Sequence, residues 1–108
     1  MKKIPDYKTA KWDKRKDVIL KEIHYDYEEL ESLNKDYLNG KVNEVKYHLL
    51  LSLCFSRIAE NEFIQGKYRE CHVCVSKQID EFALAVQLLQ EGKDAPTATK
   101  RHIESHLK

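Results

Sequence analysis

The side chains best suited to bond a metal ion are Cys71 and Cys74, in a Cys-His-Val-Cys run, and His102 and His106 near the end of the chain. Two thiolates and two imidazoles suit a tetrahedral zinc ion, and a four-residue step places both histidines on one helix face. The spacing weighs against zinc. Cys71 and Cys74 fall inside a helical pattern, without the turn that zinc knuckles use, and 27 residues separate Cys74 from His102, beyond the usual finger interval. A redox role for the same pair is weaker, because no strand pattern precedes it to form a thioredoxin-like unit. The cysteines are better used as small apolar side chains, and neither a metal nor a cofactor is expected. Other catalytic sets are missing too. No Glu stands three residues before a His, as a di-iron bundle requires. No glycine-rich loop offers a phosphate cradle, and Ser52, Ser56 and Ser76 have no nucleophile motif around them. The expectation is a protein that is not an enzyme.

Two surface sets suit binding instead. In the first, Lys8, Lys11, Lys14, Arg15 and Lys16 interleave with Tyr7 and Trp12, a composition fit for phosphate contact and base stacking. Asp6, Asp13 and Asp17 dilute it. In the second, helical spacing groups Glu22, Tyr25, Asp26, Glu29 and Asp36, so that Tyr25 supplies area to bury and the carboxylates steer a basic partner. A solvated helix face is the simpler account of each set. The acidic stripe is the better binding candidate.

The elements that carry these residues follow from periodicity. Residues 1–12 show no sustained period and read as a basic, mostly coiled lead-in. Asp13 is placed to cap a first helix, in which Ile19, Ile23, Tyr27, Leu30, Leu33 and Tyr37 share a face that Asn39-Gly40 closes. A second helix runs from near Asn43 to Gln65. Its residues Leu49 to Phe55 are apolar in nearly every direction, which demands cover from two flanking helices or from a second subunit. Beyond Arg57 it becomes one-sided, so its end should approach solvent. The third helix, about Lys67 to Glu91, has a seam of Tyr68, His72, Val75, Ile79, Phe82, Val86 and Leu89, with His72 a core or boundary residue. Residues 92–108 read as a linker and a short tail helix, RHIESHLK, with Thr99 as its cap. The three glycines, Gly40, Gly66 and Gly92, stand 26 residues apart each time. The expected fold is all-α: a small antiparallel bundle of three long helices over 13–91, plus a short C-terminal helix.

Composition agrees with one soluble domain. The 108 residues are 42% hydrophobic and 34% charged, with a net charge of +1 that gives no bulk drive toward nucleic acid or an anionic membrane. Charge is uneven, with eight Lys or Arg against four acids in residues 1–23 and three against six in residues 24–47. No apolar run approaches the ~20 residues that cross a bilayer, and the first twelve residues lack a signal-peptide core. A cytoplasmic address is the default, and three cysteines at no framework spacing read as reduced thiols.

The order of features resembles a known family. A KRKD-type start, a charged helix with YDYEELESL, then LLLSLCFSRIAENEFIQGKY and a helix ending FALAVQLL look like the N-terminal helical region of bacterial immunity proteins against polymorphic nuclease toxins. Phe63 and Gly66 match that family's aromatic and glycine after a leucine-rich helix. The resemblance implies a protein partner, a toxin nuclease whose basic surface is masked by the carboxylates around Tyr25. The stretch IAENEFIQGKYREC is also similar to a tetratricopeptide hairpin, through Ile58, Ala59, Gly66, Tyr68 and Cys71, which implies an adaptor. A small nucleic-acid-binding regulator that uses the basic lead-in is the remaining alternative, and a homo-oligomer is compatible with any of them.

Overall fold

The computed structural model describes residues 27–107, among which there are four helices and no strand. The fold is all-α. The basic lead-in, the cap at Asp13 and the positions Ile19 and Ile23 lie outside the described residues.

Helix α1 covers 27–38, α2 runs Glu44–Ile64, α3 Tyr68–Gln90 and α4 Thr97–His106. Each long helix ends by one device. At Gly66 the backbone turns to φ +78°, which a residue without Cβ adopts at no steric cost. Its N–H donates to the Phe63 carbonyl at 3.0 Å, and the next N–H, of Lys67, donates to Glu62 at 2.9 Å. Those two bonds make a Schellman motif, satisfying carbonyls that the helix leaves open. Gly40-Lys41 and Gly92-Lys93 repeat the pattern onto Tyr37 and Asp36, and onto Leu89 and Leu88. The start of α2 is equally local, since Asn43 Oδ1 accepts from the N–H groups of Val45 (2.9 Å) and Lys46 (3.3 Å).

Contacts fix the topology. From α1 to α2, Tyr27 meets Glu62, Glu29 meets Arg57 and Asn34 meets Tyr47, so the residue numbers run in opposite senses. The Tyr37 and Tyr47 rings stack at 4.0 Å near the α1–α2 turn. From α2 to α3, His48 meets Glu81, Ser52 meets Gln78 and Glu62 meets Cys74. Both neighbours of α2 are therefore antiparallel to it. One core cluster holds Val45, Leu49, Ala85, Leu88, Ala95 and Ile103, and a second, at the other end of the α2–α3 pair, holds Ile58, Ala59 and Cys74.

Several expectations change. The tail helix begins at Thr97, four residues before the expected RHIESHLK stretch, with Pro96 at its cap position. Pro96 suits that place because its fixed φ precedes the helix and its carbonyl accepts from Lys100 at 3.0 Å. Thr99 is no cap. It sits inside α4, buried one turn before Ile103, which is 0% exposed. The tail helix is thus a wall of the first core cluster. On α3, the buried row is Cys74, Ala85 and Leu88, while Tyr68, Ile79 and His72 are exposed. The true seam includes Gln78 and Glu81, whose polar atoms engage α2. The end of α2 does not simply face water either, since Asn61 and Glu62 are buried. Tyr27, expected in the core face of the first helix, is half exposed and only its hydroxyl reaches inward.

Because Ile103 is sealed among residues from three helices, Ile103→Ala removes apolar contacts and leaves a cavity, with an expected loss of about 3 kcal/mol in urea unfolding. A loss below about 0.5 kcal/mol, the range of surface substitutions, would show that α4 is not part of the folded core.

Candidate functional site

Among the described residues, the α2–α3 interface carries a set of reactive side chains that engage one another. His48 Nδ1 lies 2.5 Å from Glu81 Oε2, and the Ser52 hydroxyl donates to the Gln78 carbonyl at 2.9 Å. At the far end Glu62, 6% exposed, accepts from the Tyr27 hydroxyl at 3.3 Å and from the Cys74 thiol at 3.8 Å. Lys77 Nζ stands 5.5 Å from the centre of the Phe55 ring. These polar groups face the seam at helical spacing, so they hold helices together.

Electrostatics keeps the thiols protonated. Burial raises the Cys74 thiol above its ordinary value, and the Glu62 carboxylate raises it further; Lys77 opposes both. Burial and then Glu62 raise Cys71 as well. The Tyr27 hydroxyl is raised by burial and by Glu62, and Tyr47 by burial and by Glu81. A thiol that resists ionising is a poor nucleophile. None of the three cysteines forms a disulfide.

The structure does not gather the four candidate zinc ligands. Cys71 and Cys74 pack with Ile58 and Ala59, whereas His106 packs edge-on against Phe82, 5.7 Å between ring centres, in the other cluster. The long interval between Cys74 and His102 spans an end of the bundle, which separates the two pairs. Among the described residues no group of three or more His, Cys, Asp or Glu is placed to hold a metal ion. Of the acidic stripe, Glu22, Tyr25 and Asp26 lie outside the described residues. Glu29 turns toward α2 and pairs with Arg57 at 3.2 Å, and Asp36 is half-buried. The basic set Lys8, Lys11, Trp12, Lys14, Arg15 and Lys16 lies wholly outside the described residues.

The surface feature that spacing alone did not isolate is a half-covered groove. Helix α4 has ten residues, about 15 Å of helix, against 23 residues in α3, about 35 Å. It therefore covers one half of the groove between α2 and α3. Where it stops, a cleft of about 310 Å³ opens, lined by Leu49, Leu53, Ile79, Phe82, His102 and His106. Leu53 is 42% exposed and Ile79 61%. Farther along, Phe63 and Tyr68 meet edge to face at 5.4 Å across the α2–α3 turn, 40% and 57% exposed. Steps of three and four put Phe63 on the face of Leu49, and Tyr68 on the face of Phe82. Of the expected α3 seam, Tyr68 and Ile79 are thus the open lip of this groove, whereas Val75, Phe82, Val86 and Leu89 pack against the two core clusters. No described helix is long and apolar enough to cross a membrane.

The raised thiols and tyrosines set a pH dependence. An unfolded chain gives up these protons at ordinary values while the folded chain retains them, so above about pH 8.5 the unfolded state binds fewer protons and stability falls. Urea midpoints should be level from pH 7 to about 8.5 and decline above it. The decline should be shallower in Cys74→Ala, and an equal slope would show that burial near Glu62 does not perturb the thiol.

No family model, no curated protein and no solved structure matches this chain.

Proposed function

We propose that this protein is a non-enzymatic protein–protein interaction module whose docking surface is the open half of the α2–α3 groove. One observation carries the reading: Leu53, Phe63, Tyr68 and Ile79, all large and apolar, stand exposed on the two helices that α4 leaves uncovered. Scattered apolar residues are ordinary on a surface, but a row flanking a cleft is the anatomy of a binding site. The occupant is an amphipathic helix of a partner protein. The groove continues the one on which α4 packs, so a second helix is the fitting occupant, and its apolar anchors at steps of three and four would enter it. The absence of catalysis is supported by the use of His48, Ser52, Glu62, Cys74 and Glu81 in helix contacts.

Toxin masking, which the resemblance to immunity proteins implies, is the narrower form of this proposal. It depends on the carboxylates near Tyr25, and the Arg57 guanidinium offsets one of them, Glu29. The groove is therefore the surface favoured within the same class of function.

A photo-crosslinking residue at position 79, compared with one at Glu104 on the exposed side of α4, tests the surface in cells. The partner captured from position 79 is purified and its affinity measured against Ile79→Arg, a change at an exposed site that should leave the fold intact. Capture from 79 alone, followed by a loss of at least about tenfold in affinity, or 1.4 kcal/mol, is expected for an anchor residue. Equal capture from both positions, or equal affinity of the variant, would sink the groove reading. Charge reversal at Asp36 with unchanged affinity would separate the groove from the acidic stripe.

A further inference from the structure

The two tail histidines, separated from the cysteines, form an arrangement of their own. His102 and His106 stand one turn apart on α4 with ring centres 4.6 Å from each other. Between them in sequence lies Ile103, fully buried against α2 and α3, so the backbone that carries both rings is fixed to the core. Phe82 meets the His106 ring from α3 edge to face, 5.7 Å between ring centres.

The hydrogen bonds decide a tautomer. His106 Nδ1 lies 2.9 Å from the His102 carbonyl oxygen, which only accepts, so Nδ1 must carry the proton. The Ser105 hydroxyl donates to the same carbonyl at 2.7 Å and stands 3.3 Å from Nδ1. A neutral His106 with its proton on Nδ1 has its lone pair on Nε2. Histidine ligands to metals commonly show this pattern, one ring N–H held by a backbone carbonyl and the other nitrogen left to coordinate. The His102 ring has no hydrogen-bond partner among the described residues and keeps a nitrogen lone pair in its neutral form.

We propose that His102 and His106 form a two-imidazole site for a borderline divalent transition metal ion, with water completing the coordination. A pair at i and i+4 on a rigid helix brings two neutral nitrogen donors to one ion, and imidazole suits Cu2+, Ni2+ and Zn2+ in preference to Mg2+ or Ca2+. With two protein ligands the affinity is that of a chelating pair, well below that of a closed structural zinc site. The site is independent of the groove reading, since it needs no partner.

Ni2+ is the probe, because it does not oxidise the three thiols. Calorimetric titration of the full chain at pH 7.5 should show one Ni2+ per chain. Affinity should fall at least about tenfold in His102→Asn and equally in His106→Asn, because losing either donor abolishes chelation. His72→Asn, at an exposed histidine elsewhere, should bind as the wild type does. Paramagnetic broadening of amide resonances in the unmodified chain locates the ion without relying on any variant, and it should centre on 101–107. Loss in only one of the two variants, broadening centred on Cys71 and His72, or one ion shared by two chains would overturn the site.

Discussion

Helix α2 is apolar around more of its circumference than one neighbour can cover, and the other elements are arranged by that requirement. α1 stacks Tyr37 on Tyr47, α3 lies along the row from His48 to Glu62, and α4 supplies Ile103, with Ala95 from the loop before it, beside Val45 and Leu49. The demand is strongest in the first half of α2, where Val45, Leu49, Leu51 and Cys54 are all buried. That half receives three covers. The second half receives α1 and α3 but not α4, and there Phe63 remains exposed, with Leu53 exposed at the boundary where α4 stops. A helix that needs three neighbours along its whole length, and has the third along half of it, leaves an apolar lip.

Apolar packing is non-directional, so by itself it defines the sliding and rotation of the α2–α3 pair less sharply than a directional contact does. The polar contacts remove that freedom. His48–Glu81, Ser52–Gln78 and Glu62–Cys74 each require one alignment, and a slip of one turn would strand a buried carboxylate or hydroxyl without a partner. Glu62 is the costliest to strand, being buried and accepting from two elements at once. These contacts therefore specify register, while the two apolar clusters supply the bulk of the stabilisation.

The helix stops were legible in the sequence because they are local. Gly40, Gly66 and Gly92 need only their own backbone conformation, and Asn43 needs only the two N–H groups after it. The α3 seam was not legible, since Gln78 and Glu81 look like solvent-facing residues until Ser52 and His48 are placed opposite them. The row Tyr68, Val75, Ile79 and Phe82 then attracted the core assignment by its apolarity, although half of it faces outward. Thr99 and Ala95 were missed as core because small side chains bury well only where a neighbour approaches closely, and no spacing reveals that neighbour. Of the expected binding set, Glu29 was turned toward α2 by Arg57, a partner 28 positions away that spacing on one helix cannot identify.

The division between interior and surface bears on what kind of activity the chain supports. Catalysis needs a base or nucleophile with a lone pair directed at substrate, and the interface groups here point theirs at one another. Raising Cys71 and Cys74 through burial and Glu62 works against reactivity, so the cysteines serve as apolar filling with a weak donor. Along α4, His102 and His106 line the cleft where the covered half of the groove meets the open half, and Ile103 fixes them there. The covered half fixes α2 and α3 against each other and leaves the row of Leu53, Ile79, Phe63 and Tyr68 exposed, so the partner helix proposed above would meet a preformed surface and lose little to reorganisation.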